Sequence, residues 1–511
     1  MFQGVPIFLI RRRFLCLIIQ ELLEMRQGTI FLLGLIFLLL LAAPVNDTTM
    51  QLAEEDNGIN NSRDFSTSYT SHATISINGD AAFASAGFPG YGNSTHPYII
   101  EGYFIESSSE CIRIQSTTVY YVIRDCYISS PSFSANYGII LLSAPNGAVE
   151  DTYIENHDTG MVSRLSNPTT VVNVTVVGAA SRGIYFWDSD NSVVNNSNLI
   201  SCDIGIDSFS SVNSVIFNNT VIDSISRGIS ASSSTDSMIL NNSINTSWDY
   251  GIYVASSDGT CIAYNTVTDC IEMQCIRIAN SENIELFGNY VEMNEISLEN
   301  SPNAIIENNT VINSGFFITG SGLTNWLHSV SGNTVNGLQF GYFNNTSNLE
   351  IDLAQYGQLI FANCSNITAK DGAFSNTGCG VEVGYCDNVT IRNITIIDAY
   401  DRGLHGVFGY LSDFCTIDDV TIGNYTNGVS CFYCDNATIT QSTFLDNYNG
   451  IKIENSEDYE VSGNEVNSCE NDGIYLDTAT NATVIGNQVY DTNDYAFNIF
   501  TVSESNITGN F

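Results

Sequence analysis

From about residue 111 the chain alternates short apolar runs with small polar breaks, and the pattern repeats. A glycine followed by an apolar residue occurs at Gly138-Ile139, Gly160-Met161, Gly183-Ile184, Gly205-Ile206, Gly228-Ile229 and Gly251-Ile252. It returns at Gly380-Val381, Gly403-Leu404, Gly428-Val429, Gly450-Ile451 and Gly473-Ile474, with steps of 22 to 25 residues within each series. Degenerate copies fill the interval at Cys275-Ile276, Glu295-Ile296, Phe316-Phe317, Gly337-Leu338 and Gln358-Leu359. A second signature keeps the same period. It is an apolar pair, then Asn-Asn-Thr or Gly-Asn, then another short apolar run, as in Ile216 to Val221 and Ile485 to Val489.

Runs of three to five residues with alternate side chains on one side predict strands. A fixed period of this length is the mark of a solenoid. No turn could bury its apolar side alone, so the turns must stack. The expected fold is all-β, a single right-handed parallel β-helix of about 17 turns, with an N-terminal hydrophobic signal or anchor helix. At roughly 4.8 Å per turn it would be a rod about 80 Å long. Glycine and asparagine are expected at left-handed corners, with asparagines laddered between turns. Leucine-rich repeats are excluded because leucine is not the repeating core residue. Propeller blades repeat at about 40–50 residues, and the 3.6-residue spacing of helical repeats is absent after residue 45.

The chain divides unevenly. Residues 1–24 read as a misassigned extension, because a complete export signal begins at Met25-Arg26 and continues through the apolar run Ile30 to Leu41. Residues 25–45 are therefore expected to be a signal peptide or signal anchor, which would allow membrane anchorage. Residues 46–70 read as a polar linker, 71–110 as the N-terminal cap and 111–511 as the β-helix. The sequence stops at Phe511 inside a repeat, which reads as truncation of a longer protein.

Charge narrows the partners. The chain has 55 acidic and 15 basic residues, a net charge of −40. Such a surface repels nucleic acid, and it repels polyanionic glycans unless divalent cations bridge the two. There are 19 Asn-x-Ser/Thr sequons, but the repeat itself generates Asn-Asn-Thr.

The Gly-Ile and Asn-Asn-Thr-Val turns over residues 112–511, with Asn93-Ser94-Thr95-His96-Pro97-Tyr98-Ile99-Ile100 before them, resemble a known group. They are similar to the right-handed β-helix proteins of the NosD and carbohydrate-binding/sugar-hydrolysis group, within the pectate-lyase-like superfamily. The resemblance implies the fold, export and a carbohydrate partner. Function stays open among three readings: a surface protein that binds or acts on carbohydrate, a polysaccharide lyase or glycoside hydrolase, and a structural or adhesive rod without catalysis. Lyase and polygalacturonase signatures appear only as fragments. Phe186-Trp187-Asp188 lacks its histidine, and Leu404-His405-Gly406 precedes Asp418-Asp419 in the wrong order.

The repeat register supplies candidates instead. Residues following each Gly-apolar pair should stack outward: Tyr185, Asp207, Ser230, Tyr253 and Arg277, and later Glu382, His405, Ser430, Lys452 and Tyr475. Substrate binding is expected of Arg182, Tyr185, Trp187, Asp207, Arg227 and Tyr253, since rings stack on sugars and carboxylates accept hydroxyl hydrogen bonds. Glu382, Asp401, Arg402, His405 and Lys452 form a possible catalytic cluster, because paired carboxylates run glycoside hydrolysis. No cofactor is required, and Ca²⁺ is possible at Asp188 and Asp190. Cys364 and Cys386 lie 22 residues apart on adjacent turns, so either a disulfide or two stacked thiols fits. Cys202, Cys270 and Cys469 read as small buried fillers. The assembly expected is a monomeric rod with a glycan partner.

Overall fold

In the computed structural model, which describes residues 69–132, 136–398 and 403–511, the chain forms a right-handed parallel β-solenoid of about 18 turns. The expected extension, signal and nearly all of the linker lie outside the described residues. No helix among the described residues is long and apolar enough to cross a membrane.

Three sheets wrap the first eleven turns. The first holds the glycine-bearing strands, such as Arg182–Trp187 and Arg227–Ser232, in an 11-stranded parallel array. The second and third hold the shorter strands of the Asn-Asn-Thr signature, such as Val215–Phe217 and Thr220–Ser224. Registers run without slippage: Ile184, Ile206, Ile229, Ile252 and Ile276 pair in sequence, and all are fully buried. The short helix Asp80–Ser85 lies at the first turn, with Phe83 buried between Tyr98 and Tyr121.

Two side-chain ladders reinforce the stacking. The backbone N–H groups of Asn219, Asn242, Asn265, Asn289 and Asn309 each donate to the Oδ1 of the next asparagine in the file, at 2.8–3.0 Å. Each buried amide nitrogen then donates to a main-chain carbonyl, as Asn242 Nδ2 does to Ile216 O at 3.0 Å. A serine file, Ser189, Ser211, Ser234, Ser257 and Ser281, repeats the device at another corner. These contacts answer the need of buried polar groups for partners.

The glycines serve in two ways: those of the Gly-Asn signature take left-handed corners as expected, as at Gly288 (φ 62°), Gly463 (φ 65°) and Gly486 (φ 69°). Left-handed corners are made mainly by Asn, Ser and Asp, as at Asn218 (φ 54°), Asn241 (φ 52°) and Asn308 (φ 56°). The repeated Gly-Ile glycines are needed for close approach. A Cβ on Gly228 would lie 2.5 Å from Ile244 Cγ2 and 2.6 Å from Gly251 O.

One element breaks the repeat. Asn336 and Gly337 both adopt left-handed angles (φ 51° and 79°) and reverse the chain, so that Thr334–Val335 pairs antiparallel with Leu338–Asn344. Asn-Gly is the favoured dipeptide for a two-residue hairpin. Gly337-Leu338 is thus a turn between two stacks rather than a degenerate copy of the repeat. The third sheet of the first stack continues into the glycine-bearing sheet of the second, forming one 20-stranded sheet. Two cores result. On Tyr356–Ala362, Leu359 and Phe361 face one core while Ile360 and Ala362 face the other.

Gly228→Ala tests the close-approach account. It should destabilise the protein by about 1–3 kcal/mol through overpacking, whereas Gly337→Ala, where no atom lies within 4 Å of the added Cβ, should cost only the strain of its positive φ. Urea denaturation of both variants checks the difference.

Candidate functional site

The outer side of the first sheet gathers the first group of sequence candidates. Arg182, Ile204 and Arg227 pair along one file, two turns separating the arginines. Tyr185, Asp207, Ser230, Tyr253, Arg277, Ser297 and Phe317 form the next. Arg164 and Trp187 are neighbours in a third.

These side chains interlock. Arg182 Nε donates to Asp207 Oδ2 at 2.6 Å and its guanidinium lies 4.4 Å from the Tyr185 ring centroid. Tyr185 stacks on Trp187 at 5.8 Å, and the Arg164 guanidinium covers Trp187 at 3.7 Å. One turn on from Asp207, Arg227 lies 4.0 Å from Tyr253 and 5.8 Å from Tyr250, both on the turn after it. Arg277 reaches Tyr250 at 5.7 Å and is ion-paired with Glu299. Burial raises the carboxyl of Asp203, which neighbours Arg182, Asp249 and Arg227. The six expected binding residues therefore lie on one strip, and Arg164, Tyr250 and Glu299 join them. Register alone could have found Arg164 and Tyr250, since each lies one turn from a residue already singled out.

Asp188 and Asp190 lie in the turn that follows the strand Arg182–Trp187. Asp188 occupies a left-handed corner (φ 48°). Asp190 accepts hydrogen bonds from Val212 N at 2.9 Å and Asn167 Nδ2 at 3.2 Å, serving the turn. No group of three or more His, Cys, Asp or Glu residues among those described is placed to hold a metal ion.

Of the second candidate cluster, Glu382, His405 and Lys452 lie within the described residues. Asp401 and Arg402 lie outside the described residues. Lys452 pairs with Glu454 at 2.9 Å and faces the Tyr475 ring at 5.5 Å. His405 pairs in register with Cys379, and Phe408 stands beside Glu382, because the repeat places Gly406-Val407 rather than Gly403-Leu404 opposite Gly380-Val381. The His405 ring stacks on Phe408 at 4.9 Å; burial, aided by the Lys452 charge, lowers it to about 3.

Glu382 is fully buried where the flank of the second stack covers the last turn of the first. Its Oε2 accepts from Ile318 N at 3.1 Å. Gln358 accepts from Phe316 N at 2.8 Å and donates to Phe316 O at 2.6 Å. Two side chains thus take the place of a twelfth strand along Phe316–Thr319. Trp326, also fully buried, stacks on Tyr410 at 6.0 Å to complete the seal. Burial raises Glu382 well above the usual carboxyl range, and Glu295 nearby adds to the effect.

Of the two expectations for Cys364 and Cys386, the stacked thiols are the one found. Cys364 and Cys386 are separate buried thiols. Cys364 N donates to Cys386 Sγ at 3.2 Å and Cys386 N to Ser412 Oγ at 3.0 Å, so the thiols occupy the serine ladder of the second stack. Cys202 and Cys469 are buried beneath Gly183 and Gly450 as fillers, but Cys270 forms a disulfide with Cys275.

Glu382 binds a proton more tightly in the folded chain than an ordinary glutamate does, because burial disfavours its charged form. Its stabilisation is therefore complete below about pH 4.5 and is lost as pH rises toward the folded value. Glu382→Gln should be the more stable form at pH 8, because the amide has no proton to lose in the buried site. The gap should close toward pH 4.5, as read by urea denaturation at both pH values.

The chain matches the family described as "Periplasmic copper-binding protein (NosD)" over residues 45–224, 123–299 and 364–511. No curated protein matches it. Similar solved structures include an alginate lyase from a Paenibacillus species, at 14% identity and TM-score 0.31, covering 52% of this chain and 98% of that one. The Dettilon tailspike protein shows 12% identity and TM-score 0.35, covering 68% and 61%. The periplasmic alginate epimerase AlgG shows 12% identity and TM-score 0.30, covering 86% and 85%.

Proposed function

The chain belongs to the NosD family, and from that premise we propose that it is an exported surface β-helix that binds carbohydrate along the outer side of its first sheet. The observation that carries this reading is the strip of alternating rings, guanidiniums and carboxylates from Arg164 to Glu299. Rings present flat apolar faces to sugar C–H groups, while arginines and carboxylates supply donors and acceptors for hydroxyls. The arginines are already held by rings and ion pairs, so little side-chain freedom is lost on binding.

Binding is the better reading than bond cleavage. Glu382, the expected acid or base, is sealed between the stacks, where no polymer can reach it.

Copper, named in the family description, is a poor fit to these donors. Copper sites use clustered thiolates, thioethers or imidazoles. Here His157 and His328 are buried and lowered to about 4, His405 is stacked on Phe408, and His72 and His96 stand apart near the N-terminal cap. No step is assigned to copper.

Trp187→Ala and Tyr253→Ala should each weaken binding to immobilised polysaccharide about 10-fold, the loss of one ring contact worth about 1.4 kcal/mol, at an unchanged melting temperature. Unaltered binding by both variants would remove the strip from the function.

A further inference from the structure

Next to the strip, three successive turns place large apolar side chains in solvent. Ser224, Ser247 and Cys270 pair in register, so the residues that follow them, Ile225, Trp248 and Ile271, form one outward file. Their exposures are 63%, 51% and 47%, and Met273 beside them is 44% exposed. The preceding turn is one residue shorter here and has no counterpart of Ile225, since Asp203 matches Ser226. The apolar file is therefore local rather than a property of the corner. The Cys270–Cys275 disulfide closes the segment that carries Ile271 and Met273. An exposed apolar patch of this kind marks a binding surface.

The groups bordering the file limit its occupant. Arg227 and Tyr250 lie two residues beyond Ile225 and Trp248 and face the strip. Ser226 Oγ donates to Asp249 Oδ2 at 3.2 Å. Of the nearby cations, Arg182 is paired with Asp207, Arg277 is paired with Glu299, and Arg227 lies on Tyr253. Asp203, Asp249 and Glu272 add negative charge in a protein of net charge −40. A polyanion would meet repulsion here. A neutral sugar would find a flat apolar face on the indole, with carboxylates, a hydroxyl and a guanidinium at its edge.

We propose that Trp248, flanked by Ile225 and Ile271 and edged by Asp249, Arg227 and Tyr250, is the principal sugar subsite of the strip and selects neutral glycans. The inference rests on the carbohydrate reading above and adds both a subsite and a ligand class.

Affinity electrophoresis of the exported protein tests it, in gels containing a neutral β-glucan, polygalacturonate or methyl-esterified polygalacturonate, at about 0.05 M and 0.5 M salt. The neutral glucan should retard the protein equally at both salt levels. Trp248→Ala should weaken that retardation about 10-fold, and Ile271→Ser should weaken it less. Polygalacturonate should not retard the protein. Stronger retardation by polygalacturonate, abolished by esterification or salt, would overturn the ligand class while leaving the carbohydrate reading intact. Undiminished binding of glucan by Trp248→Ala would overturn the subsite. Self-association lost on Trp248→Ala, read by size-exclusion chromatography, would assign the file to a second copy of the chain instead. Retardation by none of the three polymers would fail the carbohydrate reading itself.

Discussion

The structure depends on each turn hydrogen-bonding to the next in unbroken parallel register. Isoleucine lies above isoleucine from Ile184 to Ile276 because the backbone ladder permits no slip. A slip of one residue would turn every buried side chain outward. The asparagine and serine files add a hydrogen-bonded partner per turn in places where water cannot serve. Glycine keeps the wall thin enough for the next turn to close over it.

The same constraint creates a problem at the end of a stack, where the last strand exposes unpaired main-chain groups. The first stack ends at Phe316–Thr319 against the side of the second. Gln358 and Glu382 supply the hydrogen bonds that another strand would have made, and Trp326 closes the apolar interior. Burial in that position raises the proton affinity of the carboxyl. Glu382 is therefore a structural residue, although its place after a Gly-apolar pair gave it the look of an exposed acid.

Regular stacking also explains how one strip of interlocked side chains arises from widely separated residues. Arg164, Arg182, Arg227 and Arg277 are spread over more than a hundred residues, yet they lie within a few turns on one side. Each is held by a ring or an acid on its own or a nearby turn. The result is a rigid surface whose chemistry can vary turn by turn without disturbing the interior.

The sequence by itself determined the period, the strand positions, the buried aliphatic file and the outward files containing Tyr185, Asp207 and Tyr253. Those follow from local alternation and a fixed repeat, which carry their information within one turn. Tertiary structure alone decided what the repeat could not encode. Asn336-Gly337 carries a hairpin signal, but only pairing with Leu338–Asn344 shows that it splits the solenoid into two stacks. That split buries Glu382 and sets His405 apart from it, because side chains pointing outward from one stack point inward at the other. The Cys270–Cys275 bridge likewise joins neighbours across a local bend rather than partners one period apart. The exposed file of Ile225, Trp248 and Ile271 was present in the register, but only the fold showed that nothing among the described residues covers it.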